Sequence, residues 1–192
     1  MGYKFIYIES RNSISQHTST IIEVFSAILN IEKYEVKEKH IILYSFNSYI
    51  ASISDLISNL VEDLYVDFRV YESRTYKDQE LLIDDINYIE HVIPLIPFSR
   101  YNYLNNKTLL AFHLNDITSN LKKIVLGTYY NNQEMIKTIK EFLEHNQNTT
   151  SASKALYIHR NTLNQRLDKF EQETDFNVKT FNDAFLIYHL MI

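Results

Sequence analysis

Residues 148–170, with the sequence NTTSASKALYIHRNTLNQRLDKF, constrain the fold of this chain more than any other segment. Asn148 and Thr149 are residue types that cap the beginning of a helix, and either of them can begin a short helix here. The chain then turns sharply at Tyr157, and a second helix begins near His159. Two short helices joined by so tight a turn are the pattern of a helix-turn-helix.

The second predicted helix, residues 159–174, has one apolar and one polar face. Leu163, Leu167 and Phe170 recur at helical spacing and are expected to face the core. His159, at the helix entrance, either contacts a phosphate group or caps the helix by accepting a backbone hydrogen bond. The remaining residues are of the types that bond base edges or phosphates when a helix enters the major groove: Arg160, Asn161, Thr162, Asn164, Gln165, Arg166 and Lys169.

Charge supports a local contact with a polyanion and argues against a general one. The chain has 19 Lys and Arg against 24 Asp and Glu, a formal net charge of -5. Because non-specific affinity for DNA grows with the number of phosphates neutralised, the chain as a whole is a poor polyanion binder. The segment from Lys154 to Lys169 differs, since it holds Lys154, Arg160, Arg166 and Lys169 against Asp168 alone, four positive charges minus one negative, or +3.

Residues 133–192 resemble the carboxy-terminal helix-turn-helix domain of PucR/CdaR-type transcription regulators. The resemblance is carried by the motif LYIHRNTL at 156–163 and by Arg166-Leu167 beyond it. The segment MIKTIKEFLEHNQNTTSAS at 135–153 is similar to the helix that leads into the motif, and residues 181–192 are similar to the closing helix. At Asn164 and Gln165 the chain departs from the basic residue and tyrosine that the family often has there.

The resemblance implies a transcription regulator whose recognition helix, beginning near His159, enters the major groove of double-stranded DNA. It also implies a homodimer, because two recognition helices then meet two half-sites. An amino-terminal region that senses an unknown small-molecule effector or a protein partner would complete such a regulator. The alternative is a regulatory adaptor that keeps the helix-turn-helix shape and uses its polar face to bind another protein.

The amino-terminal half shows the pattern of an α+β sandwich. Short β-branched and aromatic runs alternate with amphipathic stretches in the order βαββαβα. The long helix in this order is predicted over 48–64, and Pro94 and Pro97 end the helical pattern of 79–92. We therefore expect a small antiparallel-sheet α/β sandwich, ferredoxin-like or degenerate GGDEF-like, followed by an all-α helix-turn-helix domain. The predicted divisions are a sensing or dimerisation domain at 1–115, a helical connector at 116–132 and the DNA-binding domain at 133–192.

Composition excludes several classes of chemistry. The chain has two glycines and no cysteine, so it lacks Walker A, GxGxxG and GxSxG loops, thiolate metal sites and cysteine nucleophiles. Its seven histidines include no pair four residues apart on a predicted helix, and the doublets Glu62-Asp63 and Asp84-Asp85 are interpreted as solvated. We predict no enzymatic activity, no cofactor and no metal site. No apolar run reaches the length of a membrane span, and a cysteine-free chain without a signal peptide core is expected in the cytoplasm.

Overall fold

The structure is a computed structural model that describes residues 2–46, 53, 54, 57, 67–77 and 79–192. The chain divides into two compact units, Met1–Asn105 and Asn106–Ile192. The first unit combines a five-stranded sheet with helices, whereas the described elements of the second are all helical. The prediction of an α+β unit followed by an all-α unit is confirmed.

The sheet of the first unit is mixed. β1 (Tyr3–Ser10) lies between β3 (His40–Phe46) and β4 (Phe68–Glu72) and is antiparallel to both. β2 (Ile31–Val36) extends the sheet beyond β3 in antiparallel fashion, and β5 (Tyr103–Leu104) pairs with β4 in parallel. The strand order is β2-β3-β1-β4-β5, so the first four strands follow the antiparallel order of a ferredoxin-like sandwich.

The core of the first unit lies against the central strand. Residues 5–8 of β1 are an unbroken buried run, as expected of a strand that is paired on both sides and covered by other elements. α1 (Thr18–Ser26) adds Ile21 and Phe25 to the buried cluster on one face of the sheet. α2 (Gln79–Val92) has the predicted bounds and packs against β1. The helix predicted over 48–64 lies outside the described residues, apart from helical positions 53, 54 and 57.

A buried arginine fixes the segment that follows α2. Arg69, on β4, is 1% exposed and forms an ion pair of 2.7 Å with Glu9. Its guanidinium also donates to the carbonyl oxygens of Ile93 and Ile96, at 2.6 and 2.7 Å. These carbonyls belong to the short 3₁₀ turn at Ile93–Leu95 and the residue after it, where Pro94 interrupts the helical pattern. Arg69 therefore gives both carbonyl oxygens a hydrogen bond from a charged donor and ties the segment after α2 to β4.

Besides a 3₁₀ turn at Gly127–Tyr129, the second unit contains six described α-helices. They are α3 (Asn106–Phe112), α4 (Ser119–Leu126), α5 (Gln133–Glu144), α6 (Thr149–Ala155), α7 (Arg160–Thr174) and α8 (Phe181–Met191). α3 is not predicted from the sequence, because its Asn-rich surroundings resemble a loop. Its buried Leu109 and Leu110 pack within the unit, and Lys107 forms an ion pair of 2.7 Å with Asp183 of α8. The sequence-based boundary between the domains is at residue 115, whereas the two compact units of the structure meet after Asn105. That each domain folds independently stays a prediction.

No helix in the described part of the chain has the length and apolar character that crossing a bilayer requires.

Candidate nucleic-acid interface

The first helix of the motif begins at a strong cap. The Asn148 side chain accepts hydrogen bonds from the backbone N–H groups of Thr150 and Ser151, both at 3.0 Å. Two of the donors that a helix start leaves unpaired are thereby satisfied. Of the two caps that the sequence allows, Asn148 and Thr149, the structure uses Asn148.

The turn between α6 and α7 is a Schellman motif. The N–H of Ile158 donates to the carbonyl of Ser153 at 3.0 Å, and the N–H of Tyr157 donates to the carbonyl of Lys154 at 3.1 Å. Tyr157 has a φ of 55°, in the left-handed region that the motif requires at this position. A non-glycine residue there costs roughly 1 kcal/mol in backbone strain. Ser153 is buried at the inside of the turn, in agreement with the small residue that close helix approach needs.

His159 caps the second helix. Its Nδ1 accepts a hydrogen bond from the backbone N–H of Asn161 at 3.2 Å, and its backbone is extended, as is usual for a capping residue. Of the two roles that the sequence leaves open, the structure shows the capping one. Because Nδ1 accepts, the neutral ring carries its proton on Nε2, at the side away from this bond.

The buried face of α7 holds the helix in its unit. Leu163, Leu167 and Phe170 are 0–1% exposed, so the sequence-based assignment of these residues to the core is confirmed. The ring of Phe170 lies 5.6 Å from that of Tyr129, centroid to centroid. Burial, with the nearby carboxylate of Glu173, raises the pKa of the Tyr129 phenol to about 12, so this core group is neutral at physiological pH.

The opposite face of α7 presents amides and cations. Asn161 and Gln165 are exposed and lie one turn apart, within about 40° around the helix axis. Lys169 is exposed a further turn along, and Arg160 is exposed at the first position of the helix. Thr162 and Asn164, which the sequence also assigns to the polar face, are only half-exposed, since they flank the buried stripe.

Arg166 faces α5. Its guanidinium donates to Oγ1 of Thr138 at 3.0 Å and to Oε1 of Glu134 at 2.5 Å. Thr138 is fully buried, and its hydroxyl donates a hydrogen bond to the carbonyl oxygen of Glu134. Among the predicted site residues, Arg166 is therefore the one whose side chain connects α7 to α5 within the chain.

The ion pairs change the charge of the surface. Asp168, the one acidic residue in the segment, pairs with Lys179 at 2.5 Å. Arg166 is occupied by Glu134. Within the described residues, Lys154, Arg160 and Lys169 have no acidic partner, and all three are exposed. The described part of the motif therefore presents three uncompensated cations, one on α6 and two on α7, the helix that also presents the exposed amides.

Tyr157 is an exposed residue of the motif that the sequence-based set of site residues does not include. Its side chain is 96% exposed and stands between Lys154 and Arg160 in the chain. The signal that could have found it is the combination of a bulky residue with a turn position that favours glycine.

The chain resembles known proteins over parts of its length that extend beyond the second unit. Residues 135–191 match the family of PucR C-terminal helix-turn-helix domains. Uncharacterized protein YxkF of Bacillus subtilis (strain 168) is 26% identical over 147 residues, which are 73% of this chain and 50% of that protein. DNA-binding transcriptional activator AdeR of the same organism is 34% identical over 125 residues, 62% of this chain and 29% of AdeR.

A third relative matches over a shorter range. The carbohydrate diacid regulator of Escherichia coli (strain K12) is 38% identical over 63 residues, 33% of this chain and 16% of that regulator. The chain thus spans half or less of the length of these curated relatives.

Proposed function

We propose that this chain, whose residues 135–191 belong to the family of PucR C-terminal helix-turn-helix domains, is a transcription regulator that binds double-stranded DNA through the exposed face of α7. The observation that carries the proposal is that α7 presents both exposed amides and uncompensated cations. The tight turn before α7 and its buried face hold the helix in place. Two of the three relatives named above are regulators by name.

The proposed base contacts are Asn161 and Gln165. An amide side chain can accept and donate at once, which allows a paired contact with N6 and N7 of adenine in the major groove. Their spacing of one helical turn lets both side chains reach successive base pairs while the helix axis lies in the groove. Thr162 and Asn164 are half-exposed at the edges of this face, and we assign them a smaller part in the base contacts than Asn161 and Gln165.

The proposed phosphate contacts are Arg160, Lys154 and Lys169. Each is exposed and has no acidic partner among the described residues, so it can neutralise a phosphate without first breaking an ion pair. His159 keeps its Nδ1 in the cap, and its Nε2 hydrogen can still reach a phosphate oxygen. An acidic chain with a local cationic patch would bind DNA in one orientation only.

The proposal for the first unit is that it senses an effector or holds two copies together. A cleft of about 440 Å³ lies between β2, β3 and α2, and its apolar lining includes Ile42, Leu82 and Ile86. Ion pairs of Lys33 with Glu35 and of Lys37 with Glu90 stand among its lining residues. A cleft with an apolar surface and a few charged groups suits a small amphipathic molecule. A homodimer would present two copies of α7 to two half-sites, in the cytoplasm, where bacterial DNA lies.

The rival proposal is an adaptor that uses the same face for a protein partner. It is favoured by the net charge of -5 and by uncharged Asn164 and Gln165 at positions where the family often has a basic residue and a tyrosine. The two proposals differ in salt dependence, because DNA binding releases counterions and weakens steeply as salt rises. No enzymatic role is proposed. Catalytic turnover by the protein that survives deletion of residues 133–192 would contradict the proposal that the chain is not an enzyme.

The test is fluorescence anisotropy of the full chain with labelled duplexes from the region upstream of its own coding sequence, against unrelated competitor DNA. We expect specific binding that weakens between about 50 and 200 mM salt. Arg160→Ala and Asn161→Ala should each lose about 1–3 kcal/mol of binding free energy.

Two substitutions outside the proposed contacts serve as matched controls for this test. Lys137→Ala removes an exposed cation of α5, and Gln172→Ala removes an exposed amide two turns beyond Gln165. Both should bind as the wild type does. Absence of binding above competitor, or equal loss in the controls, would favour the adaptor.

A further inference from the structure

Tyr157 stands out among the residues with left-handed backbone. Within the described chain the other non-glycine residues with positive φ are Asn146, Gln147 and Asp175. All three are polar, and Asn and Asp adopt this conformation with less strain than most residues because their side chains bond locally. Tyrosine has no such compensation.

The tyrosine side chain contributes little to the folded unit. It is 96% exposed, whereas its neighbour Ile158, at the position where a Schellman motif often has an apolar contact, is half-buried. A glycine at position 157 would form the same two backbone hydrogen bonds without strain. Because the fold gains neither burial nor backbone freedom from this residue, its use is to be sought outside the chain.

The surroundings of Tyr157 identify the kind of partner. Lys154 precedes it by three residues and Arg160 follows it by three, and both are exposed cations without an acidic partner among the described residues. Asn161, a proposed base contact, begins the exposed face directly after this turn. A phenol between two such cations would meet the sugar-phosphate backbone if the first turn of α7 entered a groove. There its hydroxyl would donate to a phosphate oxygen while its ring lay against the sugar.

We propose that Tyr157 is a DNA backbone contact that positions α7 at the edge of the major groove. The left-handed turn fixes the Cα–Cβ direction, so the tyrosine approaches the phosphate from a set direction. This inference rests on the proposed function, because it requires that the chain binds DNA. A contact to phosphate and sugar is independent of base sequence, so it supports affinity without contributing to discrimination.

The test compares Tyr157→Phe and Tyr157→Gly with the wild type in the full chain, by anisotropy on two duplexes. One duplex is the upstream fragment that the wild type binds most tightly, and the other has a mixed sequence. Tyr157→Phe should bind both duplexes about three- to tenfold more weakly, as expected for one lost hydrogen bond. Tyr157→Gly should bind at least as weakly and melt no lower than the wild type, because its backbone strain is relieved.

Asn146→Gly is the matched control, since it relieves backbone strain at another exposed residue with left-handed backbone, in the turn between α5 and α6. It should leave binding to both duplexes unchanged. Wild-type binding with no loss in either Tyr157 variant would overturn the inference and leave the proposed function standing. A loss confined to the upstream fragment would replace the backbone contact with a base contact, and failure of the wild type to bind DNA would remove both proposals.

Discussion

At the scale of single residues, the guanidinium of Arg166 shows how an intramolecular contact can occupy a side chain expected to bind DNA. It lies between Thr138 Oγ1 and Glu134 Oε1, both on α5. The Arg166 side chain is 27% exposed and that of Glu134 is 74% exposed. Solvent therefore screens the ion pair, and the buried hydroxyl of Thr138 accounts for much of the stabilisation.

Arg166→Ala is expected to lower the free energy of unfolding by about 1 kcal/mol, since it removes the hydrogen bond to Thr138. The ion pair with Glu134 is lost as well, but it contributes little because solvent screens it. Thermal denaturation of Arg166→Ala, Glu134→Ala and the double variant measures the coupling between the two residues. The slope of log affinity for DNA against log salt should stay that of the wild type. A slope reduced by about 1, with unchanged stability, would instead show that Arg166 neutralises a phosphate.

Sequence could separate the buried positions of α7 from the polar ones residue by residue, but it could not show this pairing. The 3.6-residue period separates Leu163, Leu167 and Phe170 from the polar positions, because burial on one helix face leaves a periodic trace. Nothing in the local pattern shows that Arg166 meets a carboxylate on α5, 32 residues earlier. A side chain at the edge of the buried stripe can turn either to a neighbouring helix or to solvent, and only tertiary packing decides between them.

At the scale of elements, α7 depends on the residue that begins it. His159 is an uncommon cap, because Asn, Asp, Ser and Thr place an acceptor closer to the backbone than an imidazole does. His159→Ala should lower the free energy of unfolding by about 1 kcal/mol, while His159→Asn should restore the cap and the stability. Chemical denaturation of the three proteins measures this difference.

The DNA affinity of the same variants separates the two roles of His159. If the imidazole serves as a cap only, His159→Asn should bind as the wild type does. Binding that stays weak in a fully stable His159→Asn protein would show that Nε2 contacts the DNA. Equal stability of His159→Ala and wild type would remove the capping account.

The elements that sequence predicts best are those with a long periodic pattern. α2 and α8 were predicted to within a residue, because each carries apolar side chains over several turns. α3 and β5 were missed, since a seven-residue helix and a two-residue strand hold too few apolar positions to show a period. Their conformations depend on tertiary neighbours, as the ion pair of Lys107 with Asp183 illustrates.

At the scale of the whole molecule, the helices before the family match belong to the same compact unit as the motif. Leu121, Ile124 and Val125 of α4 are 0–2% exposed, and α3 packs against α8. His189 of α8 also contacts the carbonyl oxygen of Leu114 at 3.1 Å. A fragment that begins at residue 133 would lose these contacts and expose the apolar residues of α5 and α8.

We therefore expect residues 106–192 to unfold in one cooperative transition and residues 133–192 to melt at a markedly lower temperature. Far-ultraviolet circular dichroism during heating measures both fragments, and the full chain serves as the reference. The longer fragment should retain the mixed-sequence DNA binding of the full chain. Equal melting temperatures for the two fragments would mean that residues 106–132 do not stabilise the motif, in agreement with the sequence-based division, which makes 116–132, including α4, a connector.

Selection of binding sites from a random duplex library tests most directly whether α7 reads DNA sequence. The full chain, Asn161→Ala and Gln165→Ala would each be taken through the selection, with Gln172→Ala as the control on the same face. We predict that the wild type and the control enrich one motif, and that each of the other variants loses preference at a different position, with adenine as the favoured base. Enrichment of no motif by the wild type, or of an unchanged motif by both variants, would contradict sequence readout through this helix.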